Sequence, residues 1–152
     1  MNSSQTIDPS SQQSLGVLLG SVRTEIVRAL EAELAARDID LRFTQFLIIK
    51  RLATLGPMSA SELARAVDID GGAMTRQLDQ LEIKQLLRRQ PHEQDRRALR
   101  IELTDAGRAL FQQLTDCNDR VLAAAQRTLT EVQQRQLHDY LGRVLATLRD
   151  KD

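Results

Sequence analysis

The sequence predicts a mainly α-helical fold organised around a winged helix-turn-helix, and three observations support this. Residues 59–86 read as a short capped helix, a tight turn and a second helix with polar and basic positions. An arginine-rich segment follows, in which Leu99, Ile101 and Leu103 alternate with Arg100 and Glu102, the period of a half-buried strand in a small β-hairpin. Stretches with apolar residues at steps of three and four lie on both sides and read as amphipathic helices.

Taken in order, Leu15, Leu18, Leu19, Val22, Ile26, Leu30 and Leu34 form one apolar stripe, so residues 14–36 are expected as a helix. Arg37-Asp38-Ile39-Asp40 interrupts it. Thr44 is the expected N-cap of a second helix over 46–55, which Gly56-Pro57 ends, because Gly takes the left-handed cap conformation and Pro cannot continue a helix. Ser59 and Glu62 have the spacing of a capping box opening a short helix over 60–66. Asp70 is placed to cap the next helix, whose apolar positions are Met74, Leu78, Leu81 and Leu86. Gly71-Gly72 at its start is expected to allow a close approach to another backbone. Segments 86–89 and 99–103 flank the polar tip of the hairpin. Thr104-Asp105 then caps a long helix with Leu110, Leu114, Cys117, Val121, Ala124 or Ala125 and Thr128 on its stripe. Thr130 and Gln133 open a last one carrying Leu137, Leu141, Leu145 and Leu148.

A chain of 152 residues suits a single domain, 1–152, able to bury a core without disulfides. Residues 1–13 are polar, rich in Ser and Gln, and lack the pattern of a signal peptide; they are expected to be a flexible tail, and the expected compartment is the cytoplasm. No apolar run approaches a membrane span, so no membrane partner is expected. The single Cys gives no disulfide framework, and His92 and His138 have no ligand spacing, so neither metal nor cofactor is expected. There is no phosphate-binding Gly loop, nucleophile elbow or zinc-protease motif, which argues against an enzyme. Net charge is zero, yet residues 84–100 hold six basic residues against two acidic, a local +4 of the kind that phosphate binding requires.

The run Asp95-Arg96-Arg97-Ala98-Leu99-Arg100-Ile101-Glu102-Leu103-Thr104-Asp105-Ala106-Gly107 resembles the wing signature of the multiple-antibiotic-resistance regulator (MarR) family: Asp-x-Arg, then apolar-x-Leu-Thr-x-x-Gly. Ser59 to Ala64 and Thr75 to Glu82 resemble the two helices of that family's helix-turn-helix. One departure stands out, for Gln85 occupies the place where the family usually has Gly before the first wing strand. The resemblance implies a homodimer in which 14–36 and 104–150 interlock as dimerisation helices and 42–103 form the DNA-binding module. It also implies binding of double-stranded DNA at a pseudo-palindromic operator, and repression relieved by a small, often phenolic, anion. From patterning alone, an all-helical monomer core is the alternative to a dimer.

By the same resemblance Arg97 enters the minor groove from the wing tip, oriented by Asp95; the alternative is an inconsequential surface ion pair. Thr75, Arg76, Gln77 and Gln80 are the candidates on the recognition helix, where Arg reads guanine, Gln reads adenine and Thr touches a phosphate or a thymine methyl. For each, a solvated or internal role is the competing reading. Arg88, Arg89 and Arg96 are expected as generic phosphate neutralisers. Cys117 reads as a core thiol rather than a redox switch. Arg23, Arg28, Arg42 and Arg108 each suit an anion or open solvent, which leaves the ligand site open. Two other functions fit the same fold: a winged-helix module that docks protein, and a ligand-independent DNA-binding regulator or activator. Wing arginines favour DNA over protein, since protein docking usually relies on apolar anchors.

Overall fold

A computed structural model describes residues 14–91, 94 and 99–150. The expected tail (1–13) and the wing-tip residues His92, Asp95, Arg96 and Arg97 lie outside the described residues. The element order is α1 (Leu15–Ala35), α2 (Phe43–Leu55), α3 (Ala60–Val67), α4 (Gly71–Ile83), β1 (Leu87–Pro91), β2 (Leu99–Leu103), α5 (Asp105–Ala125) and α6 (Glu131–Arg149). It is the mainly α winged helix-turn-helix that the pattern predicts.

Most helix starts are where local chemistry puts them. Ser59, Asp70, Thr104 and Thr130 each accept a backbone N–H from the third residue of the helix they open. The start of α2 differs. Arg42, not Thr44, is the N-cap, and its side chain has no acceptor to offer. The orphan donors are met instead by Gln45, whose Oε1 accepts from the Arg42 N–H at 3.2 Å, and by Glu31 of α1, which accepts from the Phe43 N–H at 3.0 Å.

Helices α1, α3 and α4 all end in left-handed turns without glycine, at Asp38 (φ 57°), Asp68 (φ 59°) and Gln85 (φ 58°). After α4 the Leu86 N–H reaches back to the Leu81 carbonyl and the Gln85 N–H to that of Glu82, the paired bonds of a Schellman turn. Asp tolerates this conformation better than Gln, so the missing glycine leaves strain at Gln85. The next carbonyl explains a glycine further on. Leu86 O accepts from the Thr104 N–H at 3.1 Å, and a Cβ on Gly107 would be driven into that same oxygen.

β1 and β2 pair antiparallel from Leu87↔Leu103 to Pro91↔Leu99, so β1 begins one residue and ends two residues later than the sequence suggests. Met58 adds an isolated antiparallel bridge to Ile101, which ties the turn before α3 to the hairpin. The core is a single cluster drawn from the second half of α1, α2, α3, α4, the hairpin and α5: Leu30, Leu34, Phe46, Ile49, Leu63, Met74, Leu78, Leu81, Leu87, Ile101, Leu103 and Leu114 lie in it. Each such side chain contributes about 1.5–3 kcal/mol by leaving water. Cys117 is fully buried there too, the core position expected for it.

The stripe on α1 is continuous in sequence but not in burial. Leu30 and Leu34 are buried, while Leu15, Leu18 and Val22 stay exposed, and α6 has no buried residue at all. The protein's two ends therefore carry apolar surface that its own core does not cover.

Candidate nucleic-acid interface

α4 is held by its inner face. Met74, Leu78 and Leu81 are buried at steps of four and three, which turns the opposite face outward. Gly72, Arg76 and Gln80, at steps of four, line up along that outer face, and exposed Ile83, assigned no role from sequence, ends the line. Among the described residues no backbone crowds the side-chain positions of Gly71 and Gly72: a Cβ on Gly71 would meet nothing within 4 Å, and one on Gly72 only side-chain atoms. The expected close approach is therefore absent among the described residues, and the glycines leave the start of α4 bare.

The candidate residues on α4 are not equally free. Arg76 has no hydrogen-bond or ion-pair partner among the described residues. Thr75 is exposed, but its hydroxyl donates back to the Gly71 carbonyl at 2.9 Å. Gln77 is half-buried, with its Oε1 enclosed and unpartnered. Gln80 is exposed, yet its Oε1 accepts at 2.8 Å from Nε2 of Gln45, a side chain only 2% exposed.

The basic cluster is largely self-paired. Arg88 donates to Glu102, its cross-strand neighbour, at 2.5 Å. Arg89 donates to Asp79 at 2.8 Å and also to Glu82, so its guanidinium pins β1 to α4. Burial alone would lower the pKa of Arg89, but the hydrogen bonds and charges of Asp79 and Glu82 outweigh it and raise the pKa above its ordinary value. Lys84 bonds the carbonyl and the carboxylate of Asp40, and Arg100 donates to the Pro57 carbonyl at 3.0 Å. Arg88 and Arg89, expected as phosphate neutralisers, thus neutralise carboxylates of the same chain here. Arg96, Arg97 and Asp95 lie outside the described residues.

The arginines left open as anion partners are engaged as well. Arg23 lies over the Phe43 ring at 5.6 Å, Arg28 pairs with Glu25 and Arg42 with Glu31. Arg108 donates to the Leu103 carbonyl at 3.0 Å and to Asp105 at 2.8 Å, and its hydrogen bond to Asp105 and its charge hold that exposed carboxyl below its usual range. Arg108 also borders a cleft of about 410 Å³ between α2, β2 and α5, lined by Leu52, Ala53, Pro57 and Phe111.

Comparison with known proteins matches this geometry. The family model described as the MarR family covers residues 41–99, from the approach to α2 through the start of β2. The chain is 32% identical over 99 residues to the multiple antibiotic resistance protein MarR of Salmonella typhimurium, covering 65% of this chain and 67% of that one. It belongs to the MarR family. Another relative of this MarR-family chain is the HTH-type transcriptional regulator PecS of Dickeya dadantii, 33% identical over 134 residues, with 83% of this chain and 76% of that one covered. A solved structure of an Escherichia coli MarR mutant complexed with operator DNA superposes with a TM-score of 0.78 at 27% identity, over 86% of this chain and 93% of the other. Among the described residues of the MarR-family protein, no helix is long and apolar enough to cross a membrane.

Sequence reasoning missed Gln45 and Met58. A glutamine amid Phe46, Ile48 and Ile49 was a visible anomaly, because buried polar groups need partners. The Met58 bridge left no local signal.

Proposed function

We propose that this protein is a homodimeric, sequence-specific regulator of transcription that lays α4 in the major groove of a pseudo-palindromic operator. One observation carries the reading. The line Gly72–Arg76–Gln80 is exposed on a helix anchored by Met74, Leu78 and Leu81, in a fold that a relative uses on operator DNA. Arg76 supplies an unpaired cation and Thr75 a methyl group for thymine, while Gln77 supports them from a half-buried position. Arg97 at the wing tip reaches the minor groove, with Asp95 orienting it and Arg96 adding charge. Arg88 and Arg89 hold the wing in place for them.

Two copies meet through the uncovered apolar ends. Leu15, Leu18 and Val22 of α1 and Leu137, Tyr140, Val144, Leu145 and Leu148 of α6 are all at least 37% exposed, far more large apolar surface than a helix pair leaves in water without a partner. The regulator acts as a repressor, in the cytoplasm, and a small anion relieves it. The cleft beside Arg108 supports this last point through its volume, about 410 Å³, and its apolar lining from Leu52, Ala53, Pro57 and Phe111; Glu102 borders it too, and an anion there would have to draw Arg108 from Asp105.

Fluorescence anisotropy on the protein's own promoter-region DNA across a salt series, with random DNA beside it, tests the reading. Tight binding at two chains per site, with a steep salt slope and release by a phenolic anion, is expected. Equal, weak binding to both DNAs overturns it.

A further inference from the structure

We infer that Gln45 fixes the amide of Gln80 so that Gln80 meets DNA only as a hydrogen-bond donor, and that it selects guanine rather than adenine. The inference rests on the reading of α4 as the DNA-contacting helix and deepens it.

The orientation follows from a donor that cannot be reversed. The Arg42 backbone N–H points to the Gln45 amide at 3.2 Å, so the atom it meets must be the oxygen, Oε1. The other end of that buried amide is then the nitrogen, which needs an acceptor. It finds Oε1 of Gln80 at 2.8 Å. Swapping the ends of the Gln80 amide would set two NH₂ groups face to face in a site where Gln45 is 2% exposed. The Gln80 oxygen is consequently turned inward, and its NH₂ group is what remains for an outside partner.

A glutamine reads adenine by accepting from N6 while donating to N7, which needs both ends of the amide. The Gln80 oxygen keeps a second lone pair, but it is tethered to Gln45, only 2% exposed, so the NH₂ group is the end left for an outside partner. Guanine presents two acceptors, O6 and N7, to the major groove and asks for no acceptor in return. The position of Gln80, one turn beyond unpaired Arg76 on the exposed face of α4, makes it a reader of the same groove. Gln45 is then a positioning residue for specificity, although it lies in the core.

The test is selection from a randomised duplex library by the full-length protein, compared for wild type, Gln80→Ala, Gln45→Met and Gln80→Glu. In the wild type, the base pair whose preference collapses in Gln80→Ala is expected to favour guanine over adenine by about tenfold, the scale of one good side-chain–base contact. Gln45→Met frees the Gln80 oxygen and is expected to raise adenine to near parity at that pair, with the rest of the consensus unchanged. Gln80→Glu keeps an oxygen for Gln45 but presents an acceptor outward, so guanine is lost and cytosine, through its N4 donor, gains. This exposed variant keeps the test valid should Gln45→Met fail to fold. Adenine preferred in the wild type overturns the inference, as does an unchanged profile in folded Gln45→Met or Gln80→Ala. Enrichment of no sequence by the wild type overturns the DNA-binding reading itself, and the inference with it.

Discussion

Replacing Arg89 with Met separates a cation that holds the wing from one that holds DNA. The guanidinium donates to both Asp79 and Glu82 on α4, and its side chain is 23% exposed against 57% and 43% for the two acids. Water screens pairs of this kind, and each is worth at most about 1 kcal/mol, so the two together contribute about 1 kcal/mol after that discount. Met retains the apolar stem, so the loss reports the charge and not the packing. In a domain of this size the expected fall in Tm is about 2–4 °C, measurable by circular dichroism. DNA affinity falls as well, because the wing is no longer pinned to α4. The salt dependence discriminates. A cation bound to phosphate takes about 0.9 from the slope of log K against log salt when removed, whereas one bound to carboxylates of its own chain takes nothing. Arg89→Met is therefore expected to lower affinity with the slope unchanged, and Arg76→Met, at the unpartnered position, to lower both. An Arg89→Met slope reduced by about 0.9 with an unaltered Tm would refute the assignment, since it would mean that Arg89 leaves its carboxylates for the DNA.

Gln85→Gly keeps the left-handed conformation and removes its steric cost, about 1–2 kcal/mol for a non-glycine residue, while glycine's freedom when unfolded takes back about half of that gain. A net gain of about 0.5–1 kcal/mol is expected from urea denaturation, and destabilisation would show that the Gln85 side chain does something unseen. Gly107→Ala places a Cβ against the Leu86 carbonyl and parts the hairpin from α5; a loss of at least about 2 kcal/mol is expected in the same assay, and a neutral result would mean that this junction yields easily. Cys117 is enclosed in the core, so its labelling by a thiol reagent should follow global unfolding as denaturant is raised, whereas fast labelling of the native protein would reinstate a redox role.

What was legible in the sequence is what depends on near neighbours. Ser59, Asp70, Thr104 and Thr130 announce helix starts because a cap and the N–H it satisfies are three residues apart. Gln85 announced its own strain for the same reason, a short turn with the wrong residue in it. Thr44 failed as a cap because the helix starts at Phe43, where Gln45 accepts from the Arg42 N–H and Glu31, a full helix connection away, accepts from the Phe43 N–H. The extent of burial on α1 was equally illegible: periodicity shows which side of a helix is apolar, and only the reach of α5 and α2 along α1 decides that Leu30 is covered and Leu18 is not.

At the proposed DNA-facing surface the difficulty is of another kind, because composition counts charges and hydrogen-bonding groups without showing which are already spent. The local charge of +4 in residues 84–100 is real, yet Lys84, Arg88, Arg89 and Arg100 all have partners within the chain, separated from them by 7 to 44 positions. Such pairing makes the basic segment a framework as much as a field: it sets the strand against α4 and leaves Arg76 as a cation of that helix without a partner among the described residues. The same logic applies atom by atom at Gln80, whose oxygen is claimed from the core while its nitrogen stays free. A residue's capacity for recognition is what remains after the fold has used its share, and at this surface the share is taken by Asp40, Asp79, Glu82, Glu102, Gln45 and the Pro57 carbonyl, none of which is basic.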